Sequence, residues 1–358
     1  MKTKLVYVLT CSPEGNYIEQ AVLATFSARY HNPSAHIVLI VDNKTDELIS
    51  DGRDEVLKYI SEKVVVPFDE DKTMMYRSRW IKTSVRNLID GDYLFIDCDT
   101  ITTRCLDEVD SFECIMGAVP DAHLPIKDFN IELYNHTDEN VRHLSIDLSK
   151  ETYYFNSGVC YVKDMEETRR LYSLWHRYWL EGLDDGIRID QPSLLKADFE
   201  SCHLISELPY IYNCLSFTQP DFAKDSSILH FLSFRNQSWL FSKRVLRLIG
   251  KEGTGDWLVP FIINPTLTYI PFRYTISKMS LRELFKSIKL VSNAAKVYGR
   301  HVDSSFSDMV PSNRWYRKAK GLFSNKRFFL GGAACIVPAW ISIKTKHTSA
   351  PVPNVCAK

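Results

Sequence analysis

No CxxC pair occurs among the nine cysteines of this 358-residue chain, Cys11, Cys98, Cys105, Cys114, Cys160, Cys202, Cys214, Cys335 and Cys356. Their number is odd and most lie in apolar runs, which argues against a zinc site or a disulfide framework. Reduced thiols in a cytosolic protein fit better. A secretory leader is not expected, because the apolar core Leu5 to Leu9 is short and lacks a small-residue cleavage site. Phe328 to Ile343 is uncharged for 16 residues, but Gly331, Gly332 and Pro338 interrupt it. It falls short of the roughly 20 apolar residues that a spanning helix needs. Net charge is missing too, with 44 Lys and Arg against 44 Asp and Glu.

That balance hides an asymmetry. Residues 1–242 hold 24 Lys and Arg against 39 Asp and Glu, a net of −15, while residues 243–358 hold 20 against 5, a net of +15. The two parts therefore do different work. The composition is 45% hydrophobic and 25% charged, ordinary for a globular chain with ample core.

Tyr93 to Ile96 is a short apolar run after Gly91-Asp92, and it reads as a strand buried on both faces. It stops at Asp97-Cys98-Asp99. Two carboxylates at a desolvated strand end are costly without a partner. Mg²⁺ and Mn²⁺ are oxygen-seeking and share such carboxylates with substrate phosphates. A polar strand end followed by a turn gives the same three letters.

In chain order, Lys4–Thr10 reads as strand, 18–30 as helix, His36–Val41 as strand, 47–60 as helix, 63–66 as strand and 74–89 as helix. This alternation predicts a parallel α/β sheet covered on both faces. Ligands bind such sheets at the carboxyl ends of strands, where Thr10, Asp42 and Asp97 fall. Arg79 and Lys82 share a helix face that either points at a bound diphosphate or meets solvent. Further on, 117–119 reads as a brief strand and 123–149 as a polar covering segment. In Tyr153-Tyr154-Phe155-Asn156-Ser157-Gly158-Val159-Cys160-Tyr161-Val162 a strand resumes after a Ser-Gly break, where Gly158 permits close approach of a ligand. Leu171, Leu174, Trp175 and Tyr178 mark a helix face that belongs to the core. Asp190-Gln191 reads as a polar cap on the next helix, 209–212 as strand-like, and Ser227-Ile228-Leu229-His230-Phe231-Leu232 as another such segment, with one histidine in an apolar run.

Taken in order, Tyr-Leu-Phe-Ile-Asp-Cys-Asp-Thr, Phe-Asn-Ser-Gly-Val, Asp-Gln and Ile-Leu-His-Phe resemble the GT-A glycosyltransferases over residues 4–240. The order and spacing are nearest to family eight and related retaining enzymes of bacterial surface-polysaccharide synthesis. The resemblance implies an α/β, Rossmann-like nucleotide-diphospho-sugar transferase domain over 1–242, with a basic, mainly helical extension over 243–358. It implies a hexosyltransferase using Mn²⁺ or Mg²⁺, a UDP-sugar donor and a glycan or lipid-linked glycan acceptor. Asp97, Asp99 and His230 would be the metal ligands. Asn156 and Asp190 would lie beneath the sugar, with Gln191 beside them. Thr10 and Cys11 would offer backbone groups to the base, Asp42 would help hold the nucleoside, and Cys98 lies within the donor-binding stretch. The family follows its histidine with Gly and then Lys-Pro-Trp. Here Phe231 follows, and Arg235 would stand in for the lysine.

Two other classes fit parts of this pattern. A sugar nucleotidyltransferase would show a Gly-rich basic loop after the first strand, which 11–17 is not. A non-catalytic sugar-nucleotide-binding protein would not need the histidine and both carboxylates. Nucleic acid is not an expected partner, since no aromatic-basic platform or known motif is present. The basic extension, with helical spacing over 280–297 and the Lys-flanked 328–343 patch, is either a packing element or a peripheral contact with the cytoplasmic membrane leaflet. If the latter, the chain co-sediments with anionic vesicles at low salt and is released at high salt. Failure to sediment at low salt would remove the membrane role.

Overall fold

The computed structural model describes residues 1–128, 146–215, 225–232, 239–241, 243–256 and 258–263. Its strands are β1 (Lys4–Leu9), β2 (Ile37–Asp42), β3 (Glu62–Val66), β4 (Tyr93–Ile96), β5 (Thr100–Thr102), β6 (Met116–Pro120), β7 (Phe155–Val162), β8 (Ile205–Glu207), β9 (Cys214–Leu215) and β10 (Ile228–His230). The α-helices are α1 (Tyr17–His31), α2 (Asn43–Ser50), α3 (Met74–Leu88), α4 (Glu166–Asp184), α5 (Gln191–Glu200), α6 (Lys243–Glu252) and α7 (Val259–Ile263). Two compact units divide the chain at Thr254/Gly255, later than the expected 242/243 boundary. Helix α6 lies in the first unit and packs on α1. Of the segments singled out in the extension, 280–297 and 328–343 lie outside the described residues. Among the described residues no helix is long and apolar enough to cross a membrane.

The main sheet has the order β3-β2-β1-β4-β7-β6-β8. β1 to β4 pair in parallel, as their alternation with helices requires. The sheet is not parallel throughout, however: β7 runs antiparallel to both β4 and β6. Gly91, at φ +77°, makes the turn into β4, and its N–H donates to Asp164 Oδ2 at 2.7 Å.

Two further expectations change. The helix expected over 47–60 is shorter and starts earlier, because Asp42 Oδ1 accepts from Thr45 N–H and caps α2 at Asn43. It ends at Asp51, before Gly52 at φ +95°, and a 3-10 turn follows over Asp54–Lys58. The segment 209–212 is a 3-10 turn over Tyr210–Tyr212, not a strand.

One face of the sheet, with Val6, Val38, Phe95 and Cys160, packs against Ile81 and Val85 of α3 and Leu171 and Trp175 of α4. The aromatic stripe of α4 is core, as expected: Trp175, Tyr178 and Trp179 are all buried. The Trp175 indole N–H donates to Asp190 O at 2.8 Å, tying this core to the start of α5.

Asp198 on α5 is buried beside Glu151, and burial pushes its carboxyl up to about 6 from an ordinary 3.8. A raised carboxyl pKa means the folded state resists ionisation. It costs nothing below the unfolded value, and the cost grows as pH rises from there through about 6. Asp198→Asn, which keeps an oxygen for Ile205 N–H, should therefore stabilise the protein by about 2 kcal/mol at pH 8. Thermal unfolding at both pH values checks this: the gain should vanish at pH 4, and an equal gain there would contradict it.

Candidate metal and nucleotide-sugar site

The second, three-stranded sheet explains how distant residues meet. Its order is β5-β10-β9. The chain leaves β4 at Ile96, turns through Asp97-Cys98-Asp99, and enters β5 at Thr100. Thr100 Oγ1 donates to Asp97 O at 2.8 Å and closes that turn. β10 pairs antiparallel with β5, setting His230 opposite Thr100, and Phe231 N–H donates to Asp99 O at 3.0 Å. One ligand atom from each of Asp97, Asp99 and His230 then lies within 4.8 Å of the others. The three expected metal residues are brought together.

The donor set fits a divalent cation. His230 is buried, its Nε2 lies 3.2 Å from Asp99 Oδ1, and that nitrogen makes no hydrogen bond. Its Nδ1 lies 2.9 Å from Asn213 Oδ1. A ligating histidine is commonly held in this way through its other nitrogen. Burial pulls the ring toward the neutral form, but the Asp99 and Asp97 carboxylates outweigh it and raise its pKa. A cation seated among these groups would replace the Nε2 proton. Burial raises the pKa of Asp97 against the opposing pull of Lys82. Gly158 leaves the space: a Cβ there would sit 2.3 Å from His230 Cε1 and 2.9 Å from Asp97 Oδ2. Close approach at Gly158 was expected, and the groups that approach it are the candidate ligands themselves.

A charge network continues from this cluster. Lys82 is buried, with Nζ 3.1 Å from Asp97 Oδ2 and 3.6 Å from Asp190 Oδ2. Burial alone would favour the neutral amine, but Asp190 and Asp97 outweigh it and keep the ammonium charged. Arg79, partly exposed, places Nε 3.0 Å from Asp190 Oδ1. Arg79 and Lys82 thus face the carboxylate cluster. Asp190 occupies the N-cap position of α5, yet its side chain makes no cap bond and turns to these cations and to Ser157 Oγ at 2.8 Å. Burial would raise its pKa, but Lys82 and Arg79 prevail and hold it near 2.

Other candidate residues have different immediate partners. Gln191 Nε2 donates to Asp121 Oδ2 at 2.7 Å and to Phe155 O at 3.1 Å. Asn156 Oδ1 accepts from Gly158 N–H and from Asn213 Nδ2, both at 2.9 Å. Cys11 N–H is taken by Thr45 Oγ1 at 2.8 Å. Thr10 Oγ1 reaches Met74 O at 3.4 Å. Asp42 is fully buried, with one oxygen capping α2 and the other paired with Arg77. The Cys98 thiol turns back to Val8 O at 3.4 Å. Arg235 lies outside the described residues.

Sequence reasoning missed Asn213, Ser157 and Asp121. Asn213 follows Tyr210-Ile211-Tyr212, whose apolar character suggested a strand and drew attention from the polar residue after it.

No family model matches the sequence, and no curated protein matches it. Among solved structures the chain is similar to the apo form of WbbM, a bifunctional glycosyltransferase, at 14% identity and TM-score 0.44, covering 64% of this chain and 45% of that one. It thus spans under half the length of that protein. It is also similar to apo mouse xyloside xylosyltransferase 1, at 14% identity and TM-score 0.42, covering 64% and 97%. A third is the galactosyltransferase LgtC in complex with donor and acceptor sugar analogues, at 12% identity and TM-score 0.48, covering 71% and 97%. At these identities and TM-scores the likenesses stand apart from the functional reading, which rests on the site's own geometry. The structural neighbours are GT-A glycosyltransferases, family-eight enzymes among them.

Proposed function

We propose that this protein is a metal-dependent GT-A glycosyltransferase that moves a hexose from a UDP-sugar to a glycan or lipid-linked glycan acceptor, with retention at the anomeric carbon. The carrying observation is the meeting of one ligand atom each from Asp97, Asp99 and His230 within 4.8 Å, beside a buried and ionised Asp190. Asp97, Asp99 and His230 would hold Mn²⁺ or Mg²⁺, which supplies positive charge at the diphosphate as the nucleotide leaves.

The chain's own groups divide the remaining work. Lys82 bridges Asp97 and Asp190 and, with Arg79, keeps Asp190 ionised in a buried setting. Asp190 provides a fixed negative charge of the kind that an electron-deficient anomeric carbon requires. Arg79, partly exposed and joined to Asp190, adds a cation on the approach to the diphosphate. The loop after β1 has no Lys or Arg from Cys11 to Tyr17, which disfavours a nucleotidyltransferase.

Nucleotide release from a panel of UDP-sugars, with and without glycan acceptors, tests this function. Turnover should need Mn²⁺ or Mg²⁺ and stop after EDTA treatment and exhaustive dialysis. Full transfer under metal-free conditions would rule the mechanism out.

A further inference from the structure

We propose that Asn213 and Asn156 are positioning residues that hold a proton on His230 Nδ1, so that Nε2 is the atom the ring offers a divalent cation before any nucleotide binds. This rests on the metal-site reading above. Each hydrogen-bond direction follows from the first member of a short chain of contacts. The Gly158 N–H is a backbone donor, so the Asn156 atom 2.9 Å from it is the carbonyl oxygen Oδ1. That oxygen accepts only, so the Asn213 atom 2.9 Å away is the donating Nδ2. Asn213 therefore turns Oδ1 toward His230 Nδ1, also at 2.9 Å, and Nδ1 must carry the proton. In a neutral imidazole the other nitrogen is then a free lone pair. Here it is Nε2, the atom that faces Asp99.

The relay is well placed to hold. Asn213 has no exposed surface and His230 only 1%. The Asn213 backbone N–H donates to Tyr210 O at 3.1 Å. The first donor, Gly158 N–H, belongs to β7, which pairs on both sides within the main sheet. A ligand oriented from rigid strands in this way is preorganised for its metal.

Mn²⁺ binding to the full chain, read from the electron paramagnetic resonance of the free ion, tests the proposal without any sugar donor. Asn213→Leu removes the acceptor at similar volume and should weaken Mn²⁺ binding by roughly 10–100-fold. Asn156→Leu removes the oxygen that orients the Asn213 amide and should weaken Mn²⁺ binding in the same direction. Independently, ¹⁵N-histidine spectra of metal-free wild type at alkaline pH should show His230 protonated at Nδ1. Its signal is assigned by its loss in His230→Gln. An Nε2-protonated ring would overturn the proposal, and this measurement decides even if Asn213→Leu does not fold. Wild-type binding with unimpaired binding by Asn213→Leu would overturn the positioning role alone. A wild type that binds no Mn²⁺ would instead overturn the metal reading beneath it.

Discussion

Gly158→Ala is expected to abolish Mn²⁺ binding and transfer although it removes no ligand. The added Cβ would lie 2.3 Å from His230 Cε1 and 2.9 Å from both Asn156 Oδ1 and Asp97 Oδ2. The strand cannot easily retreat: Asp97 N–H donates to Gly158 O at 2.8 Å and Val159 pairs with Ile96. His230 would have to move by about an ångström to reach ordinary contact, whereas metal sites tolerate about 0.2 Å. Affinity should fall by on the order of 100-fold or more, beyond the usual effect of an outer partner. The overpacking should cost about 1–3 kcal/mol, so the fold should survive. Gly182→Ala on α4 is the control, since its Cβ would meet nothing closer than 3.4 Å, at Ile187. Free-ion measurements on both variants, with circular dichroism for folding, check the prediction. Wild-type Mn²⁺ affinity in Gly158→Ala would show that the three residues do not form the binding geometry.

Asp190→Asn should lower turnover by on the order of 10²–10³-fold, the usual scale for losing one electrostatic contact to a transition state. Nucleotide affinity should change little, because Asp190 meets Lys82, Arg79 and Ser157 and is not among the three candidate ligands. Lys82 keeps its pairing with Asp97 in the variant, so the metal cluster retains its neighbouring cation. The folded protein should also lose stability at neutral pH. A carboxyl held near 2, below its ordinary 3.8, stabilises the fold above that ordinary value, and this contribution disappears as pH falls through about 2. The Tm difference between wild type and variant should accordingly narrow in strong acid. Unchanged turnover at saturation together with lost UDP binding would move Asp190 from the sugar to the nucleotide. A non-catalytic binding protein would show neither loss.

Much of this site was legible because its parts carry local signals. The strand Tyr93–Ile96 has the expected bounds, since Gly91 opens it and two carboxylates close it. Helix α3 starts at the expected Met74, with the preceding Thr73 accepting from Tyr76 N–H as its cap. The histidine in an apolar run was visible because ordinary buried strands seldom carry one. What stayed hidden depends on pairing between distant segments. β5, β9 and β10 are two or three residues long, too short to show a period, yet they set His230 against Asp99. Antiparallel β7 reads the same in sequence as a parallel strand, since both of its faces are buried. Asn213 is polar and buried for the sake of a partner 17 positions away, which no local pattern announces. Asp42 shows how open such a signal is: a carboxylate at a strand end can cap the next helix, as its Oδ1 does at Thr45 N–H, as readily as hold a ligand.

The most direct test of the metal-bridged donor site is calorimetric titration of UDP into the full chain, with Mn²⁺ present and again in EDTA. The predicted result is saturable binding with Mn²⁺ that is largely lost in EDTA, and lost equally in Asp99→Asn with Mn²⁺ supplied. UDP affinity that is the same in all three conditions would contradict it.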